Sequence, residues 1–232
     1  MKGEQQGFTR LARVQPQLTG MQDWMDLPPI MRSQQREFSA AEAHGFFLAV
    51  LCAPEVRGRF QELGARVQRT HRLTGKLRPK GLLHATLFSF GRYDGPDEKV
   101  DRLIDFVRII SGGFFYPCFD VRFDRVMSFG RGNKNKAIVA VGGEGVSPLI
   151  EFQQSLGREL EAAGLPAPAA GHFKPHVTLL YDRRAVPEQA AEPISWTVRE
   201  FALIHSNIGR SRYDVLGKWP LLEGAAAARG VA

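Results

Sequence analysis

The sequence predicts an α+β domain in which two sheets flank a cleft. Three observations lead there. The tripeptide His-x-Thr occurs twice, each time inside a strand-like apolar run: Leu83-His84-Ala85-Thr86-Leu87 and His176-Val177-Thr178-Leu179-Leu180. Three other stretches carry apolar residues at three- and four-residue spacing, the mark of an amphipathic helix. The elements follow the order strand, helix, motif strand, helix, then strands, helix, motif strand and strands. That order is one unit used twice, although little residue-level repetition lies outside the motifs.

Residues 1–43 form a polar, Gln-containing extension with a turn-like Leu27-Pro28-Pro29-Ile30. Phe46 to Cys52 is a continuous apolar run, as in a buried strand. Pro54 opens a helix that carries Val56, Phe60, Leu63 and Val67. A basic loop, Thr70 to Lys80, leads into the first motif strand at Leu82 to Phe90. Asp97 begins a second helix through Val100, Leu103, Ile104, Val107 and Ile110, ended by Gly112-Gly113.

Phe119, Val121 and Phe123 alternate with charged residues, Gly130 to Asn135 reads as a hairpin loop, and Ala137 to Val141 as its return strand. Ser147 is placed to cap a helix with Pro148 at its start and Leu149, Phe152, Leu156 and Leu160 on its apolar face. Gly164 and Pro166 end it, and Pro168 to Gly171 connect to the second motif strand, followed by strands at Ile194 to Ile204 and Tyr213 to Leu216. The folded unit is expected over 44–222, each motif strand central in its half, with 223–232 a fraying tail.

Composition narrows the class. The chain has 232 residues, 44% hydrophobic and 24% charged, an ordinary globular balance. No run approaches the roughly 20 apolar residues that span a bilayer, and Met1 to Gln22 lacks the apolar core of a secretory signal. Cys52 and Cys118 allow one disulfide, too few cysteines for a disulfide framework or a zinc cluster. A cytoplasmic protein with no membrane partner is expected. The formal charge of +7 favours an anionic partner such as RNA or a nucleotide. Basic residues gather before the first motif (Arg66, Arg69, Arg72, Lys76, Arg78, Lys80), in the hairpin loop (Arg131, Lys134, Lys136) and after the second motif (Arg183, Arg184, Arg210, Arg212, Lys218).

Side chains alternate across a strand, so a residue and its second neighbour share a face. Leu82, His84, Thr86 and Phe88 therefore share one face of the first motif strand, backed by Leu83, Ala85 and Leu87. His176, Thr178 and Leu180 share a face of the second, backed by Val177, Leu179 and Tyr181. A single strand histidine is usually structural; two copies of the same tripeptide with apolar backs argue for a shared site. Imidazole titrates near 6.5, so one ring can act as general base while the other acts as general acid. Opening a 2′,3′-cyclic phosphate requires that pair. The Thr hydroxyls can donate to non-bridging phosphate oxygens, whose charge must be held during transfer.

With these residues the chain resembles the two-histidine (2H) phosphoesterases, in particular the bacterial LigT-like 2′-5′ RNA ligase / RNA 2′,3′-cyclic phosphodiesterase branch. The resemblance is carried by His84-Ala85-Thr86-Leu87 and His176-Val177-Thr178-Leu179. Phe46-Phe47-Leu48-Ala49-Val50 looks like the family's opening strand, and Tyr213 to Leu221 like its close. It spans roughly residues 44 to 221. It implies a bilobal single domain with two antiparallel-type sheets related by a pseudo-twofold, helices outside and a central cleft. It implies His84 as proton donor to the leaving oxygen, His176 as the base that activates water, and Thr86 and Thr178 as phosphate-binding residues. The product would carry a 2′-phosphate, and the roles reverse in ligation. Many relatives have an Arg where this chain has Tyr181, and Arg183 or Arg184 is the nearest substitute.

Phe88, Phe173, Tyr181 and Arg183 are the further candidate substrate contacts, the aromatics as base-stacking surfaces. Core packing is the ordinary role of Phe88 and Phe173. His44, His71 and His205 lack a partner pattern and read as structural or surface residues. His172 lies four residues before His176, a spacing that would suit metal ligation on a helix, but Pro175 argues against helix, and a place at the site's edge is its minority reading. No P-loop, dinucleotide glycine fingerprint or HExxH is present, so no cofactor and no metal are expected. The expected partners are RNA ends or cyclic nucleotides, met by a monomer. Two rivals stay open: a non-catalytic RNA or nucleotide binder on the same scaffold, and a metal-dependent hydrolase using His84, His172 and His176.

Overall fold

The computed structural model describes residues 43–94, 98–130, 135–165, 173–207 and 212–223. The rest of the N-terminal extension and of the tail, Asp97, Arg131, Lys134, His172 and Arg210 lie outside the described residues. The elements are β1 (Ala43–Leu51), α1 (Pro54–Thr70), β2 (His84–Asp94), α2 (Glu98–Gly113), β3 (Phe119–Phe129), β4 (Lys136–Val141), α3 (Ser147–Ala162), β5 (His176–Asp182), β6 (Gln189–Val198), β7 (Glu200–Asn207) and β8 (Arg212–Pro220).

The strands form two four-stranded antiparallel sheets, in the orders β2-β1-β7-β8 and β5-β4-β3-β6. Each sheet starts with a motif strand, next to the strand from which it is separated in sequence by a helix: β1-α1-β2 in one lobe and β4-α3-β5 in the other. The repeated unit read from the sequence is thus a repeated topology, and the α+β class with two sheets holds.

One core joins the lobes. Val56, Phe60, Leu63 and Val67 of α1 are buried, and Phe60 meets Phe123 of β3 and Trp196 of β6 edge-on. Phe152 of α3 packs against both Phe119 of β3 and Phe201 of β7. Burying aromatic side chains of this size is the largest single favourable term available to such a core.

Several expectations are corrected. The motif strands are edge strands, not central ones: β2 and β5 each end a sheet and pack against one another. The open edge of β5 is covered by the loop after α1, where Leu77 bridges Leu180 and the Arg78 N–H donates to the Leu179 carbonyl at 2.7 Å. The single strand expected over Ile194 to Ile204 is two strands, β6 and β7, which belong to different sheets. Apolar residues alternate from Ile194 to Val198, and the charged pair Arg199-Glu200 breaks that alternation before the apolar run Phe201 to Ile204, where the chain changes sheet. Ser147 does not cap α3: a 3-10 turn over Glu144–Val146 runs straight into the helix, placing Ser147 in helical backbone as its first residue. Cys52 and Cys118 are both free thiols.

Candidate active site

Register sets what each motif strand shows to the cleft. On β2, His84 lies opposite Leu51, Thr86 opposite Ala49, and Phe88 opposite Leu48. Leu87 is therefore an extra residue, a β-bulge. On β5, His176 lies opposite Val141, Thr178 opposite Val139, and Leu180 opposite Ile138, so Leu179 is bulged in the same way. Both motifs carry the bulge one residue after the Thr. His and Thr keep the shared face that alternation gives them; beyond the bulge the faces exchange.

That exchange corrects two readings. Phe88 turns into the core, 2% exposed, and away from the face of His84 and Thr86. Leu180 likewise points into the core, while Tyr181, opposite Ala137, joins the face of His176 and Thr178 and stands 47% exposed. Phe173 packs partly buried against the core. Arg183 is exposed in the turn after β5, and its carbonyl accepts a hydrogen bond from Lys136.

The two imidazoles are held alike. The His84 Nδ1–H donates to the Leu82 carbonyl at 2.8 Å, and the His176 Nδ1–H donates to the Lys174 carbonyl at 2.9 Å. In each case the acceptor is the backbone two residues earlier. A carbonyl can only accept, so each neutral ring keeps its proton on Nδ1 and presents the Nε2 lone pair. At His84 the Thr86 hydroxyl donates to Nε2 at 3.1 Å. Each ring also rests on an aromatic: His84 stacks on Phe47 at 4.9 Å, and His176 meets Phe129 edge-on at 4.9 Å.

Both rings bind protons weakly. Burial, opposed by the Leu82 hydrogen bond and assisted by the charges of Arg78 and His176, lowers His84 to about 4. Burial, assisted by Lys174, also lowers His176. The charge of His176 is the last of the contributions that lower His84, in keeping with the packing of β5 against β2.

Basic residues do not all converge there. Lys218 pairs with Glu200, Arg212 with Asp214 and Arg59 with Glu192. The Arg184 side chain donates to the Arg72 carbonyl. Arg78 does reach the site: its guanidinium donates to the Tyr213 hydroxyl at 2.8 Å, and the Tyr213 ring lies edge-on to His84 at 5.4 Å. Sequence reading found Arg78 only as one of many charges before the first motif.

The other described histidines, His44, His71 and His205, have partners away from the motif strands. His44 Nδ1 and His205 Nε2 are 2.8 Å apart in the buried part of the first sheet, and His71 meets Gln189. Among the described residues no group of three or more His, Cys, Asp or Glu side chains is gathered to hold a metal ion. No helix among them is long and apolar enough to cross a membrane.

Two antiparallel sheets with a matched pair of His-x-Thr edge strands between them define the architecture of a two-histidine phosphoesterase. A family model described as the 2'-5' RNA ligase superfamily matches residues 54–210, and the chain belongs to that family. Its function is accordingly of phosphoesterase or RNA-ligase type. Solved structures agree on the fold. Escherichia coli LigT in its apo form is 24% identical, covering 79% of this chain and all of LigT, with a TM-score of 0.57. TT0787 of Thermus thermophilus is 22% identical over 77% of this chain and 98% of its own, also at 0.57. E. coli LigT has also been crystallised with 3'-AMP, ATP and NADP+. None of the curated proteins matches the chain.

Proposed function

We propose that the chain is a metal-independent phosphodiesterase that opens 2′,3′-cyclic phosphates of RNA ends or nucleotides to 2′-phosphates. The observation that carries the reading is the matched pair of imidazoles, each fixed through Nδ1–H to a backbone carbonyl so that Nε2, which at His84 meets the Thr86 hydroxyl, is the nitrogen left for proton transfer. His176 Nε2 takes a proton from water as the water oxygen bonds to phosphorus. The bond from phosphorus to the ribose O3′ breaks, and His84 Nε2–H protonates that oxygen. The phosphate stays on O2′. With a ribose O5′ hydroxyl in place of water, the same transfers form a 2′-5′ linkage; run backward, O3′ attacks phosphorus as His84 Nε2 takes its proton, and O5′ leaves with the proton of His176 Nε2–H. Thr86 and Thr178 donate to the non-bridging oxygens, each contributing as an oxyanion donor does.

The nucleotides crystallised with E. coli LigT support ligands of this size and charge. The low proton affinity of His84 is the observation that favours a non-catalytic binder, because a general acid must carry a proton. A bound phosphate anion beside the ring offsets it by raising His84's proton affinity. Turnover decides between the two: release of 2′-phosphate from a 2′,3′-cyclic nucleotide supports the enzyme, and binding without release supports the rival.

A further inference from the structure

We propose that Arg78, held by the Tyr213 hydroxyl, is a phosphate-binding residue of the cleft and supplies its fixed positive charge. The inference rests on the reading of the cleft as a phosphate site. Arg78 belongs to the loop between α1 and β2, yet its backbone is tied to the other lobe. Its N–H donates to the Leu179 carbonyl of β5, and its carbonyl accepts a hydrogen bond from the Gln61 side chain of α1. Leu77 beside it bridges Leu180. The residue is thus anchored on Leu179, the bulged residue that follows Thr178.

Its side chain then turns to β8, where one guanidinium N–H is used on Tyr213. Tyr213 is fixed in turn, edge-on to Phe47 at 5.4 Å and to His84 at 5.4 Å. Among the described residues no carboxylate pairs with Arg78, whereas Arg59, Arg125 and Arg212 each have one. A half-buried guanidinium with donors to spare beside an imidazole is costly unless an anion completes it. Its charge acts on His84, placing it within electrostatic reach of the reacting atoms. The planar fork of an Arg matches the oxygens of a phosphate, which a Lys ammonium does not reproduce. Tyr213 touches Arg78 and acts through it as a positioning residue.

The test uses the full chain and adenosine 2′-monophosphate as the probe, with affinity read by calorimetry and kcat/KM read on adenosine 2′,3′-cyclic phosphate. Arg78→Gln is expected to weaken the probe by about 10- to 100-fold, the worth of a charge-assisted hydrogen bond. Arg78→Lys should recover only part of that. Tyr213→Phe should weaken the probe less, and should add nothing in the Arg78→Gln background, because both changes remove one device. Lys76→Gln, an exposed charge in the same loop, should leave affinity unchanged. Unchanged affinity in Arg78→Gln overturns the inference, and a fall in thermal midpoint with affinity intact identifies a purely structural strut and overturns it too. Wild-type chain that binds the probe through Arg78 but opens no cyclic phosphate supports this inference and defeats the proposed function instead.

Discussion

At the scale of single residues, the arrangement makes definite demands on pH and on hydroxyls. Both imidazoles have proton affinities below the ordinary value of 6.5, His84 falling to about 4. The base must be neutral and the acid protonated, and in the free protein both conditions are met together only on the acid side of 6.5. The kcat/KM profile, which reports the free enzyme, is therefore expected to be bell-shaped with its maximum below pH 6.5. The kcat profile should lie at higher pH, since bound phosphate raises the proton affinity of both rings. A kcat/KM maximum above pH 7 would contradict the electrostatics described for the site. The Thr hydroxyls are tested by Thr86→Val and Thr178→Val, which keep shape and remove a donor. Each should lower kcat by about 100-fold, with the thermal midpoint within a few degrees of wild type.

At the scale of elements, the loop after α1 is the piece that assembles the cleft. Its turn is fixed by Asp182 at the end of β5, whose carboxylate accepts the backbone N–H groups of Thr74 at 2.6 Å, Gly75 at 2.8 Å and Arg184 at 2.8 Å. The Arg184 N–H and then those of Gly75 and Thr74 hold this carboxyl below the usual carboxylate range, against burial, which raises it. The stability it contributes is present above the unfolded carboxylate value and is lost as pH falls through the lower folded value. Gly75 passes so close to β5 that a Cβ would sit 1.8 Å from the Tyr181 carbonyl oxygen. Asp182→Asn is expected to destabilise the chain by about 1–3 kcal/mol by chemical denaturation, and Gly75→Ala by a similar amount. Both should lower kcat/KM, because the loop carries Arg78. Wild-type stability in both would mean that the loop is not held this way.

The same elements show what could be read from the chain. His84, Thr86, His176 and Thr178 were legible because alternation over three residues survives any bulge that follows. Phe88, Leu180 and Tyr181 were misplaced because Leu87 and Leu179, ordinary apolar strand residues, give no sign of being bulged. The helices over Val56 to Val67 and Leu149 to Leu160 were legible from period alone. The edge position of β2 and β5 was not, since long-range pairing leaves no trace in a run whose back face is apolar either way. Arg78 was hidden for a related reason: nothing local says which of several loop cations is anchored by a partner 135 positions along.

At the scale of the whole molecule, the proposal places the reaction in residues 44–222, with 1–43 an extension and 223–232 a tail. A chain lacking residues 1–42 is expected to keep the wild-type kcat/KM on a cyclic mononucleotide, and a loss of more than about 10-fold would bring the extension into the site. The two lobes meet through one core and through the motif strands that pack against one another, so the proposed chemistry draws one imidazole from each half. The most direct measurement of the central claim is hydrolysis of adenosine 2′,3′-cyclic phosphate in excess EDTA by wild type, His84→Ala and His176→Ala. The account predicts 2′-phosphate from wild type and a loss of about 100- to 10,000-fold in each variant, all three remaining folded. Full activity in either variant, or loss of wild-type activity on chelation, would contradict it.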